Sequence, residues 1–509
     1  MLKGAQSSLL FWTLLVVIIA MSVPMIAAAI VEDWLIARTF MYYGLFSAII
    51  LYIYGIALGA SATDRSSGAA LLEAASVYVA VPLVAAAPVA ELYPGLGWRL
   101  AIFEMISAFT TTGASRMAFI EPVSDVIHLW RGIVAWLGGY YFLLIAFSIL
   151  GPLRINGCDI RADGNFYAGL YGNQAAYDAS RRTVLRQFNK RVLPAYLTIS
   201  SVLFLLLMIT GEDTQTAAIM AMSTLSTSGI VLENYTAPFA SELLVFIFLF
   251  VAVSRFTLSF DDKLKTFRSS FQNPEFRLAV VLIASVTTFL FLRHYIAILG
   301  EGSDDSFIGA LQAVWGALFT TLSFLTTAGF VSEYWSTTQT WSELATSELI
   351  LMALVICGGG VATTAGGVKL LRVYSLAKHG RRELDRLMLP NMTHPSGGDR
   401  QMRRRSVVNA WVVVMLFVFS IGLFTLIFTL FGFQLADALL ISVSGLSTTG
   451  PLISEAVTGK DLLSEFGDLE LVFFEIAMIV GRLETLAVVA LFNPILWQSR
   501  LGGRKQKLA

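Results

Sequence analysis

The sequence predicts an all-α polytopic membrane protein, built as four helix–loop–helix repeats with pseudo-fourfold symmetry plus two extra N-terminal transmembrane helices. Two observations predict this. Of 509 residues, 56% are hydrophobic and only 14% charged, against about 25% charged in a soluble domain. One short Ser-Thr-Gly pattern also recurs four times, each copy set between longer apolar segments.

Uncharged stretches recur along the whole chain, at 4–31, 39–63, 132–153, 192–211, 349–368 and 406–436. A bilayer core needs roughly 20 apolar residues per helix, so each can cross. The first stretch is longer than the ~7–15-residue core of a signal peptide, and a second span follows at once, so it reads as a retained helix. The chain divides into residues 1–66 with two N-terminal helices (9–31 and 37–62), 67–155 as repeat one, and 156–265 as repeat two with a cytoplasmic linker. Residues 266–375 form repeat three with a glycine-rich break, and 376–509 repeat four with a cytoplasmic linker and tail. That makes ten spanning helices and four re-entrant ones.

Basic residues set the orientation. Segments 151–191, 261–277, 369–405 and 499–509 hold 25 of the 35 Lys and Arg, whereas the opposite connections carry Glu91, Glu121, Asp125, Glu212, Asp213, Glu233, Glu301, Asp304, Asp305, Glu455 and Glu465. The positive-inside rule places the basic segments and both termini in the cytoplasm. The formal net charge is zero, so overall charge says nothing about partners; no nucleic-acid partner is expected. Cys158 and Cys357 stand in different segments, and His128, His294, His379 and His394 are scattered, so neither type suggests a metal site or a disulfide. Isolated surface or interface positions account for the histidines.

The repeated pattern reads SAFTTTGAS at 107–115, STLSTSGIV at 223–231, SFLTTAGFV at 323–331 and SGLSTTGPL at 444–452. Ser107, Ser223, Ser323 and Ser444 open the copies; Thr111, Thr227, Thr327 and Thr448 hold the fifth position, and Gly113, Gly229, Gly329 and Gly450 the seventh. The glycines are 116, 100 and 121 residues apart. Each copy ends a segment, at 98–110, 213–226, 305–326 and 435–447, that reads as too short or too polar to span. Irregular backbone at membrane depth is tolerated only inside protein or around a water-filled path. Four such loops at one depth therefore imply a central pore. Carbonyls converging on it can replace a cation's hydration shell, Gly allows the backbone angles that turn them inward, and each half-helix aims the negative end of its dipole at the axis. No ring of carboxylates lies in the loops, which argues against a divalent-cation filter. Small-residue helix packing explains any one copy, but not four in the same frame.

Two further features stand out. Residues 358–367 hold Gly358, Gly359, Gly360, Gly366 and Gly367 within an apolar span, with Thr363 and Thr364 between them and Lys369 after. Gly costs a helix roughly 1 kcal/mol relative to Ala at each position, so a break at mid-membrane is expected; a tight small-residue contact is the alternative. Arg482 lies near the middle of the apolar run 469–496. An arginine there costs at least ~2.5 kcal/mol on insertion scales and ordinarily faces the bundle interior. It is expected below the loops, repelling a cation that would otherwise pass; the rival is an ion pair with Glu475 or Glu484. Arg255, nearer its helix end, is expected to snorkel. Lys369 supplies a possible second barrier.

At these residues the chain resembles the Trk/Ktr/HKT superfamily, and the bacterial Trk-type membrane subunit most closely. FEMISAFTTTGAS, with Glu104, resembles the first pore segment, and LWRGIVAWLGGYY carries the Arg131, Trp136, Gly138, Gly139 pattern of the first inner helix. FLTTAGF and LSTTGP resemble the third and fourth pore loops, GGGVATTAGGVKLLR the glycine-rich break, and MIVGRLETL the stretch with a buried arginine. The resemblance implies four helix–pore loop–helix units and potassium uptake, with the potassium ion as substrate and no organic cofactor in this chain. The filter it implies is Thr111, Thr112, Gly113, Thr227, Ser228, Gly229, Thr327, Ala328, Gly329, Thr448, Thr449 and Gly450. The gate is Gly358, Gly359, Gly360, Thr363, Thr364, Gly366, Gly367, Lys369 and Arg482. It further implies a homodimer in the cell (inner) membrane, served by a cytosolic ring of nucleotide-binding Trk-type regulatory subunits. The second loop departs from type, since STSGI puts Ser228 where the family usually has Gly. In HKT relatives a Ser for the first filter Gly marks sodium preference; all four filter positions here are Gly. Sodium- or proton-coupled symport and a less selective K+/Na+ pathway stay open. A membrane enzyme finds no support, because 155–190 and 373–403 lack a phosphate-binding glycine loop, a His/Cys cluster or a Ser/His/Asp set. The pore-like subunit of a potassium pump fits the stretch 358–372 less well.

Overall fold

The structure, a computed structural model, describes residues 8–58, 67–117, 123–146, 181–232, 237–253, 274–298, 307–342, 347–361, 363–388 and 399–484. Cys158, Arg255, His394, the end of the 469–496 run and most of the basic segments lie outside these residues.

The first N-terminal span is two helices, α1 (Leu9–Ala20) and α2 (Ser22–Ile30), jogged at Met21 two residues before Val23-Pro24. The Glu73 carboxylate fixes its start by accepting from Ser8 Oγ at 2.8 Å and from the Leu9 amide at 2.7 Å. Helix α3 (Trp34–Ala57) follows, capped by the Asp33 side chain on the Ile36 amide. Leu45, Phe46 and Ile53 on it are about 60% exposed, the apolar face a bilayer would cover.

The rest is one unit used four times. Repeat one is α4 (Ser67–Leu92), α5 (Gly97–Phe109) and α6 (Asp125–Ile145); repeat two is α7 (Arg181–Ile209), α8 (Thr214–Ser226) and α9 (Phe239–Val253). Repeat three is α10 (Pro274–Ile298), α11 (Phe307–Leu325), a short α12 (Trp335–Ser342) and α13 (Ser347–Cys357), continued by α14 (Leu370–Met388). Repeat four is α15 (Asp399–Leu430), α16 (Leu435–Ser447), a 3-10 turn (Gly450–Ile453), α17 (Glu455–Thr458) and α18 (Asp468–Arg482). The half-helices α5, α8, α11 and α16 fall within two residues of the expected segments.

One expectation needs correcting. The third re-entrant segment is neither too short nor too polar to span: α11 has 19 residues and an apolar stretch of membrane-crossing length. It is re-entrant because its C-terminus runs into the loop at Thr326 and Thr327, not because it is short. Among the described residues seven helices are long and apolar enough to cross, namely the N-terminal pair, the four outer helices α4, α7, α10 and α15, and α11. None of the inner helices α6, α9, α13 and α18 qualifies. Helices α6 and α18 bury Arg131, Gly138, Gly139, Glu475 and Arg482.

Candidate functional site

Each half-helix ends in the same way. Thr111, Thr227, Thr327 and Thr448 take φ of 56°, 56°, 56° and 55°, the left-handed region. That conformation is an outlier for a β-branched residue, and strained backbone of this kind clusters at functional sites. The next amide closes the turn onto the opening serine: Thr112, Ser228, Ala328 and Thr449 donate to the carbonyls of Ser107, Ser223, Ser323 and Ser444 at 2.8, 3.0, 2.9 and 2.9 Å. This is the six-to-one bond of a Schellman cap, with Thr where Gly is usual.

The glycines show how the loops meet. A Cβ on Gly113 would lie 1.8 Å from the Ser228 carbonyl oxygen, and one on Gly229 would lie 2.2 Å from the Ala328 oxygen. One on Gly329 would lie 2.8 Å from Pro451 Cγ, and one on Gly450 would lie 2.3 Å from the Ala114 amide nitrogen. Loop one touches two, two touches three, three touches four, and four touches one. The Gly450 amide closes the ring by donating to the Thr112 carbonyl at 2.7 Å. Gly113, Gly229 and Gly329 also have φ of 74°, 66° and 79°, whereas Gly450 enters the 3-10 turn ahead of Pro451. Gly is thus required at three positions by conformation and at all four by space. Ser228 shares hydrogen bonds through its hydroxyl with Ser223 and Ser226, 3.1 Å each, so its side chain turns back into α8.

Behind the ring, carboxylates hold the exit of two loops. Glu104, fully buried, accepts from the amides of Arg116 (2.6 Å) and Met117 (3.2 Å) and from Ser115 Oγ, and pairs with Arg131 at 3.1 Å. Glu242 on α9 accepts from Trp315 Nε1 (2.7 Å), Ser332 Oγ (3.0 Å) and the Glu333 amide (2.8 Å), the same position after the third glycine. Sequence reasoning found Glu104 and missed Glu242, although a carboxylate in an apolar helix was a signal for it. His128, expected at a surface or interface, is instead buried 3.4 Å from Arg131 Nη1.

Helix α13 stops at Cys357 and α14 starts at Leu370; the glycine-rich segment between them lies directly against the ring. A Cβ on Gly366 would meet the Ser447 oxygen at 1.9 Å and Thr448 Oγ1 at 2.8 Å. The Gly366 amide donates to Thr327 Oγ1 at 2.6 Å, and Thr227 Oγ1 lies 3.3 Å from Thr364 Oγ1. The other two left-handed threonines, Thr111 and Thr448, have hydroxyls that are buried with no hydrogen-bond partner among the described residues. Gly358 and Gly367 have φ of 68° and 72° and pack on the Gly366 and Val355 carbonyl oxygens, while Gly359 and Gly360 lie against Ala365 and the Val253 carbonyl. Thr363 Oγ1 donates to the Gly360 carbonyl at 2.7 Å. A cavity of about 20 Å³ beside Thr363 and Thr364, bounded by Tyr196, Thr224 and Phe248, holds space for one water.

Arg482 is 2% exposed, and its Nη1 donates to the Thr364 carbonyl at 2.6 Å. Neither rival acid pairs with it: Glu475 binds Arg99 at 2.6 Å, and Glu484 binds Arg372 at 2.7 Å. Lys369 is equally buried and donates to the Ala365 and Thr363 carbonyls. All twelve loop residues and all nine residues around the break thus come together. Among the described residues no group of three His, Cys, Asp or Glu could hold a metal ion.

Comparison with known proteins relates the chain to cation transporters. The TrkH profile, described as a cation transport protein, matches residues 208–501, more than half of the chain. An uncharacterised cation transporter of Methanocaldococcus jannaschii is 25% identical over 405 residues, 78% of this chain and 77% of that protein. The Trk system potassium uptake protein TrkH of Vibrio parahaemolyticus is 26% identical over 423 residues, 80% of this chain and 81% of its own. The crystal structure of the potassium transporter TrkH from Vibrio parahaemolyticus superposes with a TM-score of 0.75 at 20% identity, covering 98% of this chain and all of the other. At that identity the likeness is one of fold.

Proposed function

The chain belongs to the TrkH family of cation transport proteins, and on that premise we propose that it takes up potassium across the cell membrane through the ring of four loops. The observation that carries this reading is the closed ring itself, with four left-handed threonines at φ 55–56° and four glycines each packed on the next loop. The selectivity filter is Thr111, Thr112, Gly113, Thr227, Ser228, Gly229, Thr327, Ala328, Gly329, Thr448, Thr449 and Gly450. Carbonyls of these residues, other than that of Thr112, which accepts from the Gly450 amide, act with the hydroxyls of Thr111 and Thr448 to replace water around the entering ion. The Ser228 hydroxyl turns back onto Ser223 and Ser226, so the departure from the family pattern puts no side-chain oxygen of its own toward the ion.

The gate is the segment from Gly358 to Lys369 together with Arg482. It contacts the filter threonines of repeats two and three and brings two buried cations beneath the ring. The chain functions in the inner membrane as a homodimer with both termini in the cytoplasm, controlled by a cytosolic ring of nucleotide-binding Trk-type regulatory subunits on the basic segments.

The test is complementation of a potassium-uptake-deficient bacterium at low potassium, with the regulatory partner supplied. Growth is expected; failure to restore it sinks the reading. Uptake that collapses when the sodium or proton gradient is removed would favour coupled symport instead.

A further inference from the structure

An unpaired charge in a protein interior is costly, and a buried guanidinium ordinarily sits against a carboxylate. Arg482 does not. Its nearest acids in sequence are committed to Arg99 and Arg372, and the polar side chains beside it are the uncharged phenols Tyr78 and Tyr196. Its guanidinium carbon lies 4.2 Å from the centroid of the Phe142 ring. Lys369 Nζ lies 5.3 Å from the same centroid. Phe142 is 3% exposed and belongs to α6, the inner helix of repeat one. Lys369 belongs to repeat three and Arg482 to repeat four, so one ring joins inner elements of three repeats.

A ring and a carboxylate hold a cation differently. The ring attracts through its quadrupole but carries no net charge, so it fixes the cation without cancelling the field felt by an ion in the filter. A carboxylate here would neutralise Arg482 and offer the ion a resting place. We propose that Phe142 is the positioning residue of the gate, an aromatic seat that holds Arg482, and with it Lys369, beneath the filter without itself adding a countercharge. This rests on the reading of Arg482 as a barrier.

The experiment measures rubidium leak into lipid vesicles holding the full chain. Phe142 is replaced by ring-fluorinated phenylalanines, which keep the size of the ring and weaken its quadrupole stepwise, and by Leu and Trp. A cation–π contact at a desolvated site corresponds to a shift in the closed state of about 5- to 30-fold. Leak is expected to climb with each fluorine towards that range, to be highest for Phe142→Leu, and to stay at or below the parent level for Phe142→Trp. A flat fluorine series overturns the proposal, and because those variants are nearly isosteric a folding defect cannot imitate the graded result. Arg482→Ala in the same assay separates the two ideas. Raised leak there with a flat fluorine series removes the seat and keeps the barrier; unchanged leak removes the barrier itself.

Discussion

Replacing Arg482 by Ala tests the gate at its centre, and the structure gives the size of the effect. The Arg482 guanidinium is 2.6 Å from the Thr364 carbonyl, and the Thr364 hydroxyl is 3.3 Å from Thr227 in the filter. A cation held at the Thr227 level is therefore roughly 8 Å from the charge, and at an effective dielectric of about 20 the repulsion is about 2 kcal/mol. Since 1.36 kcal/mol is tenfold in rate, removing the charge is expected to raise unstimulated rubidium flux about 30-fold. Arg482→Lys keeps the charge and should stay within a few-fold of the parent. The fold should tolerate the change, because no carboxylate loses its partner. Flux measured in vesicles at equal protein decides the matter. An Arg482→Ala protein that is folded and leaks no faster than the parent would refute the electrostatic argument.

Four further outcomes follow from the structure. Gly113→Ser should abolish flux and lower the melting temperature, because its Cβ falls 1.8 Å from the Ser228 oxygen at a φ of +74°. Gly211→Ala, with φ +96° and nothing within 4 Å, should incur only the ~1–2 kcal/mol of left-handed backbone and keep parental flux. Glu104→Ala should destabilise by ~3–5 kcal/mol, as expected when a buried pair loses one member, and should lose selectivity for rubidium over sodium as the loop at 115–117 is released. Arg372→Ala should incur a similar ~3–5 kcal/mol in thermal melts by stranding Glu484, whereas Arg372→Met combined with Glu484→Leu should be near neutral.

Much of this architecture was legible in the chain. Helices announce themselves through apolar length, and Gly358 to Gly367 announce a break because each glycine weakens a helix locally. The expected half-helix 435–447 is α16 residue for residue. The exception, α11, shows the limit of the local signal. The repeat frame marks it as re-entrant, but not for lack of length or apolarity: its 19 residues could cross a membrane, and the turn at Thr327 with the loops packed around it sets it apart.

What the sequence by itself determined is therefore periodic or local: the four units, their order, the glycine positions and the buried arginine. What only the tertiary structure decided is pairing. Glu475 binds Arg99, 376 residues away, and Glu484 binds Arg372, 112 residues away, so neither acid is left for the arginine close to it in sequence. Nothing about Phe142 distinguishes it among 36 phenylalanines until three repeats close around it. The reason is physical. Helix propensity and hydrophobic length act over a few residues and survive in a linear reading. Partner choice depends on which side chains a closed ring brings within about 4 Å of one another, and that distance exists only once the four repeats have closed into the ring.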